Sequence, residues 1–230
     1  MKKRIRTNGI IITIAVILVA VFPDKFLRIE FSGLNYGLGV IGLALMLFGL
    51  LLRVSSRGYK SENSQSGFSL VKGGPYALVR NPMYLGIFTI GAGTIIFLFQ
   101  WWVLALFITF LLIRYLTLIV KEEALLTKAF GQQYSQYLQE IPRLFPRVRD
   151  LFKADIRKCL PLRLTWIKRE ASSVVVVPLL SLIISGIISV RAGKADTLLP
   201  QFTGYFSIII IFAILIIYLS RSYESPAKKS

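Results

Sequence analysis

The chain has 230 residues, 55% of them hydrophobic, and carries 28 lysines and arginines against 11 acidic residues, for a formal net charge of +17. Several uninterrupted apolar runs of bilayer-spanning length exclude a soluble one-core domain, and cations that fall between those runs rather than along one stripe argue against nucleic-acid binding. With Cys159 as the single cysteine and no histidine, an internal disulfide framework and a Cys/His zinc site are both excluded, and any chemistry proceeds without imidazole.

In chain order, apolar runs at about 9–22, 33–52, 85–99, 101–120, 173–190 and 202–219 predict an all-α, polytopic integral membrane protein with about six transmembrane helices. The first run follows Met1-Lys-Lys-Arg and has no small-residue cleavage site after it, which makes it a retained anchor rather than a signal peptide. Four cations precede that run, five lie in 53–84, eleven in 121–172 and three at the C-terminus, whereas the opposite side has only Lys25, Arg28, Arg191 and Lys194. Positively charged loops stay cytoplasmic, so both termini and both long loops are expected there. Four segments follow: 1–52 with the N-terminal transmembrane helices, 53–149 a core with a transmembrane hairpin, 150–172 a basic interfacial segment, and 173–230 a C-terminal transmembrane hairpin.

Two stretches depart from simple spanning. Residues 53–84 are rich in Gly, Ser, Asn and Pro and cannot form one regular helix, while 121–145 reads as a polar helix continuing out of the fourth span and broken by Pro142 and Pro146. Val148 to Arg169 interleaves Leu151, Phe152, Ile156, Leu160, Leu164, Trp166 and Ile167 with basic residues, the pattern of a helix or two lying on an anionic lipid surface. Arg114 lies inside the fourth run, where it either faces a protein interior or aqueous cavity or snorkels to the cytoplasmic interface.

The chemistry is concentrated in two strings. The first, Phe68-Ser-Leu-Val-Lys-Gly-Gly-Pro-Tyr-Ala-Leu-Val-Arg-Asn-Pro-Met-Tyr-Leu-Gly86, sits just before the third span. Gly73, Gly74 and Pro75 predict a tight turn whose amides can approach a ligand, and Pro82 disfavours helix at Asn81, leaving irregular backbone of the kind that lines a cavity. The second string begins Lys121-Glu-Glu and runs through Phe130-Gly-Gln-Gln-Tyr-Ser-Gln-Tyr137 to Pro142-Arg143. Helical geometry turns Glu122 and Glu123 about 100° apart, so one faces a given cavity while the other meets solvent or a basic partner.

Together these strings resemble the isoprenylcysteine carboxyl methyltransferase family and its phospholipid N-methyltransferase relatives, over about 68–147. Gly74 to Tyr76, Arg80 to Gly86, Glu122-Glu123, Phe130 to Tyr137, and Pro142-Arg143 with Pro146 follow that family's motifs in order around a helical hairpin. The resemblance implies a cytoplasmic pocket for S-adenosyl-L-methionine. Carried over by position, Phe68, Ser69, Leu70 and Val71 bracket the adenosine with Tyr76 beside them. Asn81, Pro82, Met83 and Tyr84 touch the amino-acid part of the cofactor, and Glu122 accepts a hydrogen bond from it. Such groups suit the ligand, since a carboxylate pairs with an ammonium and aromatic faces favour a sulfonium.

Two departures stand out. Asn81 replaces the family's histidine and cannot become cationic, and Leu118 stands where the carboxyl methyltransferases place an arginine for the prenylcysteine carboxylate. Arg114, one turn further up the same helical face, is the candidate replacement. Arg80 reads as a phosphate or carboxylate clamp or as a topology charge, and Tyr134 and Tyr137 read as interfacial anchors ahead of substrate-binding groups. Gly91 and Gly93 predict close helix packing, and Trp101 and Trp102 mark the far interface. The last two runs either shape a substrate tunnel or stabilise the bundle and a dimer.

The function expected from the resemblance is a membrane methyltransferase acting on a lipid, prenylated or other amphiphilic acceptor. An NADPH-dependent membrane sterol-type reductase and a catalytically inactive membrane scaffold stand as alternatives.

Overall fold

The computed structural model describes residues 17–28, 33–64, 69–153 and 155–222; most of the first apolar run and Phe68 lie outside them. Among these residues the chain is helical with no named strand, only one isolated bridge between Leu27 and Phe99. The elements are α1 (Pro23–Phe26), α2 (Leu34–Asn63), a 3-10 turn (Gly74–Ala77), α3 (Pro82–Leu98), α4 (Trp101–Phe130), α5 (Gln132–Glu140), α6 (Val148–Lys153), α7 (Ile156–Cys159), α8 (Leu164–Arg169), α9 (Ala171–Arg191) and α10 (Leu198–Ser222).

Four of these, α2, α4, the Val174–Arg191 part of α9, and α10, are long and apolar enough to cross a membrane, and α3 is a shorter apolar helix of 17 residues. The protein is therefore an all-α membrane protein. The third predicted span is α3, which at 1.5 Å per residue covers about 25 Å, slightly less than the hydrocarbon core.

The centre of the fold is the antiparallel pair α2 and α3, whose backbones touch. A Cβ built on Gly42 would lie 2.8 Å from the Gly93 carbonyl oxygen, and one on Gly93 only 2.5 Å from the Met46 nitrogen. Seven residues along each helix the contact repeats, with a Cβ on Gly49 falling 2.8 Å from the Gly86 carbonyl oxygen. Helices in lipid gain little from hydrophobic exclusion, so contact at this distance depends on residues without side chains. Gly93 thus packs as expected, whereas Gly91 receives the Phe107 ring of α4. Replacing Gly93 by Ala is expected to lower stability by about 1–3 kcal/mol through overpacking. Gly37→Ala, at a position with nothing within 4 Å, should be neutral or stabilising, and unfolding in detergent compares the two.

Two expectations about the connecting segments are corrected, and one is refined. The helix of the second span continues past its apolar run to Asn63, so the 52/53 division falls inside α2. Ser56 and Asn63 extend it by donating to the carbonyls four residues back, at 2.6 and 2.9 Å. The polar helix after the fourth span breaks first at Gly131, whose φ of 51° favours glycine, before Pro142 ends α5.

The 148–169 segment does not simply lie on a surface as one or two helices. It forms three short ones, and Trp166 of α8 is 2% exposed, seated on Gly58 of α2 and donating from Nε1 to Glu62 at 2.8 Å. Leu160 and Leu162 are buried in the same cluster, and Ser55 Oγ donates to the Pro161 carbonyl at 2.7 Å. Phe152 and Leu164 remain exposed.

Candidate active site

Where α2, α3 and α4 run past their apolar stretches, they enclose an open cleft of about 690 Å³. Its wall is built from the loop before α3 (Ser69, Leu70, Val71), the 3-10 turn (Tyr76), and the entry into α3 (Arg80, Asn81, Pro82, Met83, Tyr84). From α4 come Glu122, Leu126 and Phe130, four residues apart and hence on one helical face. The structure therefore gathers every described residue that the sequence singled out for a cofactor around one cavity, together with Arg80. Arg114 is not among the lining residues; it lies two turns up α4 from Glu122, about 12 Å along the axis.

The adjacent glutamates divide as helical geometry requires. Glu122 lines the cleft, where its Oε2 accepts the Tyr84 hydroxyl hydrogen at 3.0 Å and its Oε1 lies 4.0 Å from Lys60 Nζ. Glu123 points away and is buried between two arginines: its Oε1 is 3.0 Å from Arg80 Nη1 and its Oε2 accepts from Arg143 Nη2 at 2.9 Å. The contact with Arg80 is ionic rather than a well-aimed hydrogen bond, since Glu123 Oε1 and Arg80 Nε have no hydrogen-bond partner among the described residues.

Arg80 is thus neither a free clamp nor a solvated topology charge. Its side chain is 10% exposed and joins the loop before α3 to α4. Backbone contacts tie the same wall to the 142–143 segment, with Arg80 N–H donating to the Pro142 carbonyl at 2.9 Å and Asn81 Nδ2 to the Arg143 carbonyl at 3.1 Å. The Pro-Arg after α5 is a staple for the cleft.

Tyr134 and Tyr137 are corrected as well. They are 2% and 3% exposed, line the cleft, and are not interfacial anchors; the Tyr137 hydroxyl donates to the Tyr76 carbonyl at 2.6 Å. Burial above all, then the neighbouring phenol Tyr134 for Tyr137 and the Glu122 carboxylate for Tyr76, raises the pKa of both phenols; Tyr134 is raised by burial and then by Glu123. All three stay protonated near neutral pH, so none serves as a phenolate base.

Gly73 and Gly74 make room for protein rather than ligand. A Cβ on Gly73 would fall 2.5 Å from the Tyr59 hydroxyl, and Gly74, at φ 59°, sits under the Tyr59 ring. The sequence reading missed Lys60, Ser64, Leu126 and Phe130 in the cleft. The four-residue spacing from Glu122 was the available signal for the last two, whereas Lys60 and Ser64 reach the cleft only because α2 extends beyond the membrane.

A second, apolar cavity of about 1270 Å³ lies across the 3-10 turn. Pro75, Leu78 and Val79 of the turn region face it, opposite Leu45, Phe48 and Leu52 of α2, Leu85 and Phe88 of α3, and Phe145. Neighbouring residues of one short segment therefore wall two cavities of opposite character.

These features define a polytopic all-α membrane protein with a polar, aromatic-walled cleft at the end of its central helices and an apolar groove beside it. Residues 38–133 match the phospholipid methyltransferase family, which is related to the isoprenylcysteine carboxyl methyltransferases, in agreement with the resemblance carried by the two strings. The match runs from near the start of α2 into α5 and includes Arg80, Glu122 and the α3–α4 hairpin between them. It supports a membrane methyltransferase acting on a lipid. No curated protein and no solved structure gives a significant match to the chain.

Proposed function

We propose that the protein is an integral membrane methyltransferase that uses S-adenosyl-L-methionine to methylate the amine headgroup of a membrane lipid, with its cleft on the cytoplasmic side. The observation that carries this reading is the convergence of the two sequence strings, 38 residues apart at Tyr84 and Glu122, on one cleft in which a carboxylate is held by a tyrosine hydroxyl. The cytoplasmic placement rests on the excess of cations in the loops that build it.

The cleft's chemistry fits the cofactor. Glu122 and Lys60, of opposite charge and 4.0 Å apart, offer partners to the ammonium and carboxylate of a zwitterionic amino acid. Leu70 and Val71 supply apolar wall for a base, and Tyr76, Phe130 and Tyr134 supply aromatic surface for a cation. When bound, the cofactor supplies an electrophilic methyl group on sulfonium.

What the chain's own residues do is positional. Tyr84 fixes the Glu122 carboxylate, and the Arg80–Glu123–Arg143 brace fixes the wall that carries Asn81 to Tyr84, so ligands meet a preformed surface. The acceptor assignment follows from the cations. Arg80 is committed to Glu123, Arg114 is outside the cleft, and position 118 is leucine, so no arginine fork is presented to a prenylcysteine carboxylate. The aromatic rings of Tyr76, Phe130 and Tyr134 suit an amine headgroup instead. The neighbouring apolar groove supports an acceptor with long hydrocarbon chains.

Calorimetric titration of the detergent-purified protein tests the cofactor. Saturable binding of S-adenosylhomocysteine is expected, and none of NADPH; binding of NADPH alone would move the protein to the reductases, and binding of neither would leave a scaffold. Methyl transfer to phosphatidylethanolamine in preference to a prenylcysteine acid tests the acceptor.

A further inference from the structure

On the other side of α2 from the catalytic cleft, a polar hollow of about 640 Å³ opens between α2, α8 and the start of α9, lined by Arg57, Ser61, Trp166, Arg169 and Glu170 among others. Its charges do not cancel. Glu170, with a side chain only 12% exposed, receives Arg57 Nη1 at 2.5 Å and Arg53 Nη2 at 3.7 Å. Arg169 has no ion-pair partner among the described residues and is exposed. Two guanidinium groups thus meet one carboxylate, while Arg169 lines the same hollow without pairing to it. The nearby Arg163 is already committed to Glu62 at 2.8 Å, on the far side of Trp166.

The depth of this hollow can be read from two helices independently. Arg53 is the first charged residue after the uncharged 34–52 stretch of α2, and Glu170 is the last before the uncharged 171–190 stretch of α9. Both apolar stretches end at the same level, because the two side chains meet across the hollow. That level is the boundary between hydrocarbon and headgroups, where a lipid phosphate resides. The indole of Trp166, an amphipathic ring suited to this boundary, forms part of the wall.

We infer that the hollow between α2, α8 and α9 is a binding site for the headgroup of an anionic phospholipid, whose phosphate is held by Arg57 and Arg169. Guanidinium forks bind phosphate in a bidentate fashion, and a phosphate beside Arg57 shares that cation with Glu170. The site shares no lining residue with the catalytic cleft and does not depend on the methyl-transfer reading. It attaches the α9–α10 hairpin, which lies beyond the matched region, to the leaflet on which the cleft opens.

The test is titration of the full-length protein in detergent with dihexanoyl phosphatidylglycerol, dihexanoyl phosphatidylcholine and glycerol phosphate, followed by thermophoresis. Saturable binding of the phosphatidylglycerol is expected, about tenfold weaker in Arg169→Gln and substantially restored in Arg169→Lys, with S-adenosylhomocysteine affinity unchanged in both. Equal binding of phosphatidylcholine would overturn the preference for an anionic lipid, and equal binding of glycerol phosphate would make this a soluble-anion site. An affinity indifferent to Arg57→Gln and Arg169→Gln would sink the assignment altogether.

Discussion

Glu123→Ala should cost about 3–5 kcal/mol of stability, the largest effect expected from any single substitution around the cleft. The carboxylate is buried between Arg80 and Arg143, and removing it leaves the Arg80 guanidinium 10% exposed with its charge uncompensated. Arg80 cannot discard that charge near neutral pH, because a guanidinium does not deprotonate there. Unfolding by denaturing detergent, followed by circular dichroism, reads the loss directly. The double replacement Arg80→Met with Glu123→Met removes both charges at once and is expected to be milder than Glu123→Ala alone. Should Glu123→Ala be no worse than the same change at the exposed Glu140 at the end of α5, water must screen the pair and the brace would be unimportant. Because the same brace carries Asn81 to Tyr84, cofactor affinity should fall along with stability.

Glu122→Gln is expected to separate these two properties. Its side chain is 38% exposed and the amide oxygen can still accept from Tyr84, so the fold should be unaffected. What disappears is the negative charge offered to an ammonium, and a charge-assisted hydrogen bond is worth about 1.5–3 kcal/mol, or roughly 10–100-fold in affinity. Calorimetry with S-adenosylhomocysteine should show that loss. Tyr84→Phe, which frees the carboxylate without removing it, should lose only about 2–10-fold. 5′-Methylthioadenosine, which lacks the amino-acid part, should bind wild type and Glu122→Gln alike. Equal weakening of both ligands would show that Glu122 shapes the cleft rather than pairing with an ammonium.

The contrast between the two glutamates shows how far local pattern reaches. Helical rotation alone says that adjacent residues cannot face one cavity, and that one of the pair must meet solvent or a base. It does not say which. Glu123 is the buried one because Arg80, 43 residues before it, and Arg143, 20 residues after it, close on its side of α4. The tyrosines went the other way from expectation for a similar reason. A Tyr-x-x-Tyr spacing beside a membrane fits an interfacial belt, but Gly131 turns α5 back so that both rings enter the cleft.

Hydropathy and charge placement in the sequence determined by themselves that this is an all-α membrane protein and where its hairpin lies, because spanning length and helical period are local properties of the chain, and it was the motif resemblance that joined the two strings in one cleft. Only the tertiary structure decided that α2 runs on to Asn63, that Arg80 is a brace, that Arg114 stands apart, and that the 148–169 segment docks on Gly58 through Trp166. The brace and the Trp166 docking depend on the partner a side chain finds across about 20 to 110 residues of sequence, and such partners are selected by packing and burial rather than by periodicity.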